Sequence, residues 1–278
     1  MALLVSLNAQ ETEENIAYVN KRGINLLPQA ADLALGIEIN PFLKYLGNMM
    51  NNSNNIDAPA FSGFSNTVYV KYFLEKDRAV RAKLFLNFTQ EKYKQTVTNQ
   101  YALLLDPTNT AATTVDTRIK NDQGVRLDLG YELRRGHGRV QGYFGPEISI
   151  GYNAGKEMYE YGNPITDANR NPVYHNFAYG VPKQGYRLTE NKKGMEIVAG
   201  IGGFIGVEYF FTPQISIGGE LGLRFNYANR EQNEVTSEGW LGNSIEEYSY
   251  RERNADDRAF TIGGSTITNG AIFIMFHF

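Results

Sequence analysis

The 278-residue chain contains no cysteine, which excludes disulfides, thiolate metal sites and cysteine nucleophiles. It also lacks any apolar run long enough to cross a bilayer as a helix, for which about 18 residues are needed. Charge of one sign is not in excess, because the net charge is only −3. We therefore expect no nucleic-acid partner and no strong general attraction to acidic lipid.

Glycine and aromatic residues are abundant by contrast, with 28 glycines, 18 tyrosines and 16 phenylalanines. This composition favours strand-rich structure with aromatic anchors. The mean hydropathy of −0.38 is low, yet it is compatible with a membrane β-barrel, in which only alternate residues of each strand face lipid.

Alternation of apolar and polar residues is the strongest pattern in the chain. Val125, Leu127 and Leu129 share one face of a predicted strand, while Arg126 and Asp128 share the other. A period of two belongs to strands and not to helices. It predicts eight strands, at 31–40, 66–75, 78–93, 120–135, 139–152, 194–211, 214–227 and 264–278.

The connections between these strands fall into two classes. Three are short turns, at 75–78, 135–138 and 212–214, and four are long and polar, at 41–65, 94–119, 153–193 and 228–263. Short turns at one end and long loops at the other are typical of outer-membrane barrels. We therefore predict an all-β, eight-stranded, antiparallel up-and-down transmembrane barrel over 31–278, with three periplasmic turns and four external loops.

The last strand ends on aromatic residues, Phe276 and Phe278. It resembles the C-terminal assembly signal of bacterial outer-membrane barrels, and segment 206–222 resembles a strand–turn–strand unit of the small OmpA-like and OmpX-like barrels. The resemblance implies an outer-membrane location with periplasmic termini, insertion by the barrel-assembly machinery, and contact with membrane lipid and lipopolysaccharide. The alternative is a buried C-terminal strand of a soluble fold.

The first residues form a short apolar run that ends in small residues near Ala9. We interpret residues 1–10 as the remnant of a secretory signal peptide and residues 11–30 as a periplasmic segment. A frayed N-terminus is the alternative, since the basic start of a signal peptide is missing.

The polar faces of the predicted strands carry seven cations and seven anions, which would point into the lumen. They are Glu38, Lys71, Arg81, Lys83, Arg126, Asp128, Glu132, Arg134, Arg139, Glu147, Glu196, Glu208, Glu220 and Arg224. Eight strands enclose an interior that side chains fill, and buried charges must pair. We predict a salt-bridged, closed lumen. Acid–base chemistry by the paired carboxylates is the competing interpretation.

No catalytic, cofactor or metal site is predicted. The known enzymes among small outer-membrane barrels use a histidine with a serine or an acidic partner, and the histidines here are His137, His175 and His277. Of these, only His175 lies in a predicted external loop, where it lacks a nucleophile elbow or a paired acid. The acidic composition of the last loop favours a solvated loop, bridged through cations to lipopolysaccharide, and a weak divalent-cation site there is the alternative.

Tyrosines concentrate in the 153–193 loop. Tyr159, Tyr161, Tyr174, Tyr179 and Tyr186 would suit a recognition surface, because tyrosine offers a rigid amphipathic contact. Packing of the same rings over the barrel mouth is equally compatible with the sequence. We predict a non-enzymatic structural, accessory or binding protein whose loops contact an envelope protein or a surface ligand. A small pore for hydrophobic solutes and a lipid-modifying enzyme are the alternatives.

Overall fold

The computed structural model describes residues 25–39, 66–178, 180–183, 185–252, 257–264 and 271–278. Within these ranges the chain forms thirteen strands and one short helix, α1 (Gln100–Leu105). The strands are β1 (Leu33–Glu38), β2 (Asn66–Glu75), β3 (Arg78–Thr98), β4 (Thr113–His137), β5 (Val140–Glu160), β6 (Tyr174–Asn176), β7 (Val181–Lys183), β8 (Arg187–Thr212), β9 (Ile215–Arg230), β10 (Glu234–Leu241), β11 (Ser244–Arg251), β12 (Asp257–Gly264) and β13 (Ala271–His277).

Eight of these strands close into an antiparallel ring, in the order β1, β2, β3, β4, β5, β8, β9 and β13. The ring closes because β13 pairs with β9 on one side and with β1 on the other, where Ala34 lies opposite His277. The prediction of an all-β fold with eight principal antiparallel strands is confirmed. The predicted signal peptide and the 41–65 connection lie outside the described residues.

Three two-residue turns, at 76–77, 138–139 and 213–214, join β2 to β3, β4 to β5 and β8 to β9. Gly138 has a φ of 60°, a left-handed conformation that glycine adopts at little cost. Since neighbouring strands are antiparallel, all three turns lie at one end of the ring. The start of β1 and the end of β13 lie at that same end.

The ring buries charged side chains inside, together with a cluster of aromatic and aliphatic ones, and exposes apolar side chains outside. Ile201, Ile205 and Leu221 are 65%, 62% and 61% exposed, whereas Lys71 and Arg224 are 1% and 2% exposed. Soluble proteins bury residues of the first kind and expose the second. Alternation along each strand sends successive side chains to opposite faces, so one sequence pattern produces both surfaces.

Three of the segments predicted as long loops, 94–119, 153–193 and 228–263, contain β-strands in the structure. Strands β3, β4, β5 and β8 continue beyond the ring into segments predicted as loops, and residues 228–263 contain most of β10, β11 and β12. Beyond the ring these strands form a sheet extension in which β10 pairs with β8 and β11 pairs with β10. Apolar alternation stops there because polar residues stand on both faces, while the backbone pairing continues.

Candidate functional site

One part of the ring interior holds a four-membered cluster of buried charges, the turn-side cluster. Lys71 Nζ lies 3.1 Å from Glu132 Oε2 and 3.2 Å from Glu208 Oε2. Arg134 reaches the same two acids, with Nη1 2.6 Å from Glu132 Oε1 and Nη2 2.9 Å from Glu208 Oε2. These residues come from β2, β4 and β8, so the cluster crosses the interior and ties non-adjacent strands together.

A second group of buried charges adjoins the first, and we refer to it as the central cluster. It comprises Arg81, Lys83, Asp128, Glu147, Glu220 and Arg224. Lys83 Nζ lies 2.6 Å from Glu147 Oε2 and 3.3 Å from Glu220 Oε1. Arg81 bonds to both of these acids and also approaches Glu132 at 3.9 Å. The two clusters therefore form one continuous network.

Aromatic rings occupy the interior beside the charges. The Arg81 guanidinium lies 3.2 Å from the centroid of the Phe204 ring, and Lys71 Nζ lies 4.4 Å from that of Tyr143. Both rings are at most 5% exposed. A cation over an aromatic face is stabilised by the ring quadrupole, most of all where water is excluded. The rings thus support the same cations that the carboxylates neutralise.

The remaining predicted lumen acids and Arg126 lie at the edges of this network. Arg126 Nε is 3.1 Å from Asp128 Oδ1 and its side chain is 26% exposed. Glu196 pairs with Arg230 at 3.1 Å, with side chains 21% and 50% exposed. Glu38 is buried on β1. Arg126 and Glu196 are thus more exposed to water than the charges of the two clusters.

Arg139 does not lie in the interior, although its position beside a polar strand face predicted it there. It is the second residue of the 138–139 turn, and it is exposed. Its Nη1 donates to the backbone carbonyls of Phe210 and Phe211, at 3.2 Å and 2.6 Å. Strand β5 begins at Val140, one residue later than predicted, so Arg139 lies in the turn and its side chain bonds the neighbouring hairpin instead.

Sequence reasoning missed one polar contact in the interior. Ser216 Oγ donates to Glu208 Oε1 at 2.5 Å and lies 2.8 Å from His277 Nε2. In a hydrolytic triad the acid holds Nδ1, whereas here the carboxylate lies on the Nε2 side, 3.4 Å from that nitrogen. Ser216 is also fully buried. The contact is suited to packing the base of the turn-side cluster and not to nucleophilic catalysis.

Two buried polar side chains hold the 161–176 segment against the inner face of the sheet extension. Asp116, which is fully buried, accepts backbone N–H bonds from Gly162 at 2.9 Å and from His175 at 2.7 Å. Asn163 Nδ2 donates to the carbonyls of Thr98 and Val173, each at 2.9 Å. His175 is thus placed by its backbone, in a segment with a defined conformation.

Two of the tyrosines proposed for recognition pack against each other instead. The rings of Tyr161 and Tyr174 meet edge to face with centroids 5.4 Å apart, and the Arg187 guanidinium lies 4.4 Å from the Tyr161 centroid. Tyr161 donates to the Leu188 carbonyl and Tyr174 to that of Tyr186. Burial raises the pKa of both phenols, which keeps them protonated as donors.

Tyr159 belongs to a neighbouring contact. Its hydroxyl donates to Glu157 at 2.8 Å and its ring lies 6.0 Å from that of Phe177. Burial, and then the bond to Glu157, raises its pKa. The Arg118 guanidinium lies between Tyr93 and Phe177, 4.6 Å and 5.6 Å from their centroids. This row of side chains stabilises the inner face of the extension.

Tyr186 is the member of the tyrosine set that stands on the surface, with 56% exposure. Its ring lies against Gly239, where a Cβ would come within 2.3 Å of it. Tyr179 lies outside the described residues. Among the four of these tyrosines that the structure describes, Tyr186 is thus the exposed one.

The hairpin formed by β10 and β11 presents a further accessible surface. Every residue of β11 is exposed, and the rings of Tyr248 and Tyr250 stack with centroids 5.8 Å apart. Ile245 is 51% exposed on the same strand, beside the acidic Glu246 and Glu247. Within the described residues, β11 is an edge strand that pairs only with β10.

The predicted assembly-signal residues lie on the outer face of the ring. Phe276 is 45% exposed and pairs in register with Leu35 of β1, and Phe278 is 72% exposed. They continue the apolar outer surface where the ring closes.

Neither the family models nor the curated proteins contain a match to this chain. The described helix, with six residues, is too short to cross a bilayer. Among the described residues, no three acidic or histidine side chains are arranged to hold a metal ion.

Proposed function

We propose that this protein is a bacterial outer-membrane β-barrel whose lumen is closed by salt bridges and whose external sheet extension contacts other molecules. The observation that carries the proposal is the inverted polarity of the ring. Large apolar side chains such as Ile201 and Leu221 are exposed outward, while Lys71, Arg81 and Glu208 are buried inside. A surface of this kind is stable against hydrocarbon, where no edge of the sheet is left unpaired.

The height of the apolar outer surface supports a membrane location. On β9, apolar side chains alternate outward from Ile215 to Tyr227. Twelve residue steps span about 40 Å along a strand, and a tilt of about 45° reduces this to about 28 Å across the membrane. That height is close to the thickness of a hydrocarbon core, about 30 Å.

The interior favours a structural role over transport. Lys71, Arg81 and Lys83 each contact more than one carboxylate, and aromatic rings occupy the space beside them. A narrow interior filled in this way stabilises the barrel and opposes the passage of solutes. We therefore favour a non-enzymatic structural, accessory or binding role over a pore.

The contacting surface that we propose is the accessible part of the sheet extension, formed by Tyr186 and the β10–β11 hairpin. Tyr248 and Tyr250 provide stacked aromatic area on an edge strand, which suits contact with an envelope protein or a surface ligand. Membrane lipid, lipopolysaccharide and, during insertion, the barrel-assembly machinery are the further partners.

Heat-dependent mobility on a denaturing gel tests the barrel. The protein is expressed with a secretion signal and outer membranes are isolated. Unboiled and boiled samples should migrate differently, because a folded barrel resists the detergent at room temperature. Recovery in the soluble fraction with identical migration of the two samples would refute the proposal.

A pair of arginine substitutions tests which surface faces lipid. Ile201→Arg places a charge at the middle of the outer face of β8 and should destabilise the protein in vesicles by about 2–4 kcal/mol. Ile245→Arg makes the same change on β11, outside the ring, and should have little effect. Urea titration in lipid vesicles measures both. Equal effects of the two substitutions would contradict the proposed membrane boundary.

A further inference from the structure

A cavity of about 440 Å³ lies on the outer side of β3, β4 and β5, just beyond the apolar outer surface of the ring, which we call the belt. Its lining includes Phe88, Gln90, Asn121, Gln123, Ala154 and Lys156. We propose that this cavity binds the saccharide headgroup of a membrane glycolipid, whose acyl chain would lie along the belt below. The inference rests on the membrane location proposed above and names a ligand for one place on that surface.

The cavity is formed by a local irregularity of β5. The pairing of β5 with β8 shifts register between Asn153 and Gly155, and the outward residue at this bulge is the small Ala154. Its outward neighbours along the strand, Tyr152 and Lys156, are much larger. A small side chain between two large ones leaves a depression, and the bulge bends the strand around it.

The position of the cavity matches the boundary between hydrocarbon and headgroups. On β4 the outward residue changes from Val125 to Gln123, and on β5 it changes from Tyr152 to Ala154. Gln123 Nε2 lies 3.4 Å from the Tyr152 hydroxyl, so the last outward aromatic of β5 bonds to the cavity lining. Tyrosine at such a boundary is characteristic of the aromatic girdles of membrane barrels.

The lining chemistry favours hydroxyl groups over a bare anion. Gln90 Nε2 donates to Asn121 Oδ1 at 2.9 Å, and primary amides have further donors and acceptors that match sugar hydroxyls. Lys156 Nζ lies 2.7 Å from Glu190, a carboxylate that it shares with Lys192, so its charge is partly offset. Phe88 is 67% exposed and offers an apolar face for ring C–H groups or the start of an acyl chain.

Native mass spectrometry of the full chain in nanodiscs tests the site. Two kinds of disc are made from phosphatidylcholine, one with about 10% diglucosyl diacylglycerol and the other with about 10% phosphatidylglycerol. At this lipid content a specific site should be filled. Ala154→Trp fills the cavity and should reduce retained glycolipid about tenfold, the effect of losing 1–2 hydrogen bonds. Ala199→Trp, the same change on the outer face of β8 within the belt, should leave retention unchanged.

Each result decides between defined alternatives. Equal retention by the two tryptophan variants, or equal retention of phosphatidylglycerol, would overturn the glycolipid site while leaving the barrel intact. Displacement by free maltose at the same concentration would show a site for soluble sugar and would overturn the lipid assignment. Failure to enter nanodiscs and an absence of heat-dependent gel mobility would instead refute the barrel itself.

Discussion

Among single residues, Glu208 has the densest set of polar contacts in the interior. Its carboxylate bonds to Lys71 and Arg134 and also accepts from Ser216. Glu208→Ala should leave two buried cations with one fewer partner, and removal of one member of a buried pair costs about 3–5 kcal/mol. The free energy of unfolding in urea, measured in lipid vesicles, should fall by that amount.

The matched control for this substitution is Glu246→Ala, which removes an exposed carboxylate from β11. Surface charges of this kind contribute about 0–1 kcal/mol, so its unfolding free energy should stay near that of the wild type. A Glu208→Ala variant as stable as the control would mean that water replaces the lost carboxylate in the interior.

Asp122, in the sheet extension, provides a test of electrostatics outside the ring. Its carboxylate lies 3.0 Å from both Lys120 and Lys193. Burial alone would raise the pKa of Asp122, but the hydrogen bonds from the two lysines outweigh it and hold the pKa below 3.8. A depressed pKa gives stability that is present above the unfolded value and is lost as the pH falls through the folded value.

We therefore expect the Asp122 carboxyl to titrate below its usual range, and the two bridges to persist at pH 4. The ¹³C shift of the Asp122 carboxyl, followed by NMR in detergent, measures this directly. Lys193→Met should move the titration midpoint upward, because it removes one of the two donors. A midpoint that does not respond to Lys193→Met would show that this bridge is not maintained in solution.

Among structural elements, the 161–176 segment is held near both of its ends by one buried acid, Asp116. Asp116 accepts from Gly162 and His175 at once, and both partners are backbone N–H groups. Asp116→Ala should leave both donors unsatisfied, which costs about 1–3 kcal/mol per group. The segment should then become sensitive to limited proteolysis, while the ring keeps its heat-dependent gel mobility. Proteolysis at the wild-type rate would contradict this role.

The ring strands could be predicted from sequence where each strand separates two environments. Val125 and Leu127 face outward while Arg126 and Asp128 face inward. Apolar and polar residues therefore alternate along the strand, and this alternation is visible in the sequence. Beyond the ring both faces of the sheet are polar, so the same signal vanishes in residues 94–98 and 187–193. There the backbone pairing between strands, and not a hydrophobic face, maintains the structure.

The β10–β11 hairpin can be predicted from the residues of its turn. Gly242 and Asn243 form its two-residue turn, and Gly242 has a φ of 63°. A Gly-Asn pair between alternating segments predicts a hairpin, even though the surrounding residues have the composition of a polar loop. Turn chemistry is therefore the better guide where hydrophobic periodicity is lost.

Sequence also predicted balanced charges in the interior, although it could not supply their partners. Lys71 and Arg81 lie opposite each other in the β2–β3 register, yet Lys71 bonds to Glu132 and Glu208 while Arg81 bonds to Glu147 and Glu220. Such partners are set by how far the strands are staggered around the ring. The stagger is a property of the closed sheet, so it cannot be deduced from the sequence of any one strand.

For the whole molecule, the interior network makes a prediction about conductance. The turn-side and central clusters are joined through Arg81, which approaches Glu132 of one and bonds to Glu147 of the other. An ion crossing the ring would have to displace paired charges that are stabilised by low dielectric surroundings. The purified protein in a planar bilayer should therefore show no steady open conductance. A reproducible open channel would overturn the closed lumen.

Removing one carboxylate from the network should allow brief ion conductance without opening the ring permanently. Glu147 contacts Arg81, Lys83 and Arg224, so Glu147→Ala removes a shared acceptor from the middle of the central cluster and leaves all three cations to recruit water. Brief openings with a preference for anions are expected, because the interior gains net positive charge. Glu246→Ala, which changes the same residue type outside the ring, should remain as closed as the wild type. Openings that favour cations in Glu147→Ala would mean that the remaining carboxylates, and not the freed cations, face the permeating ion.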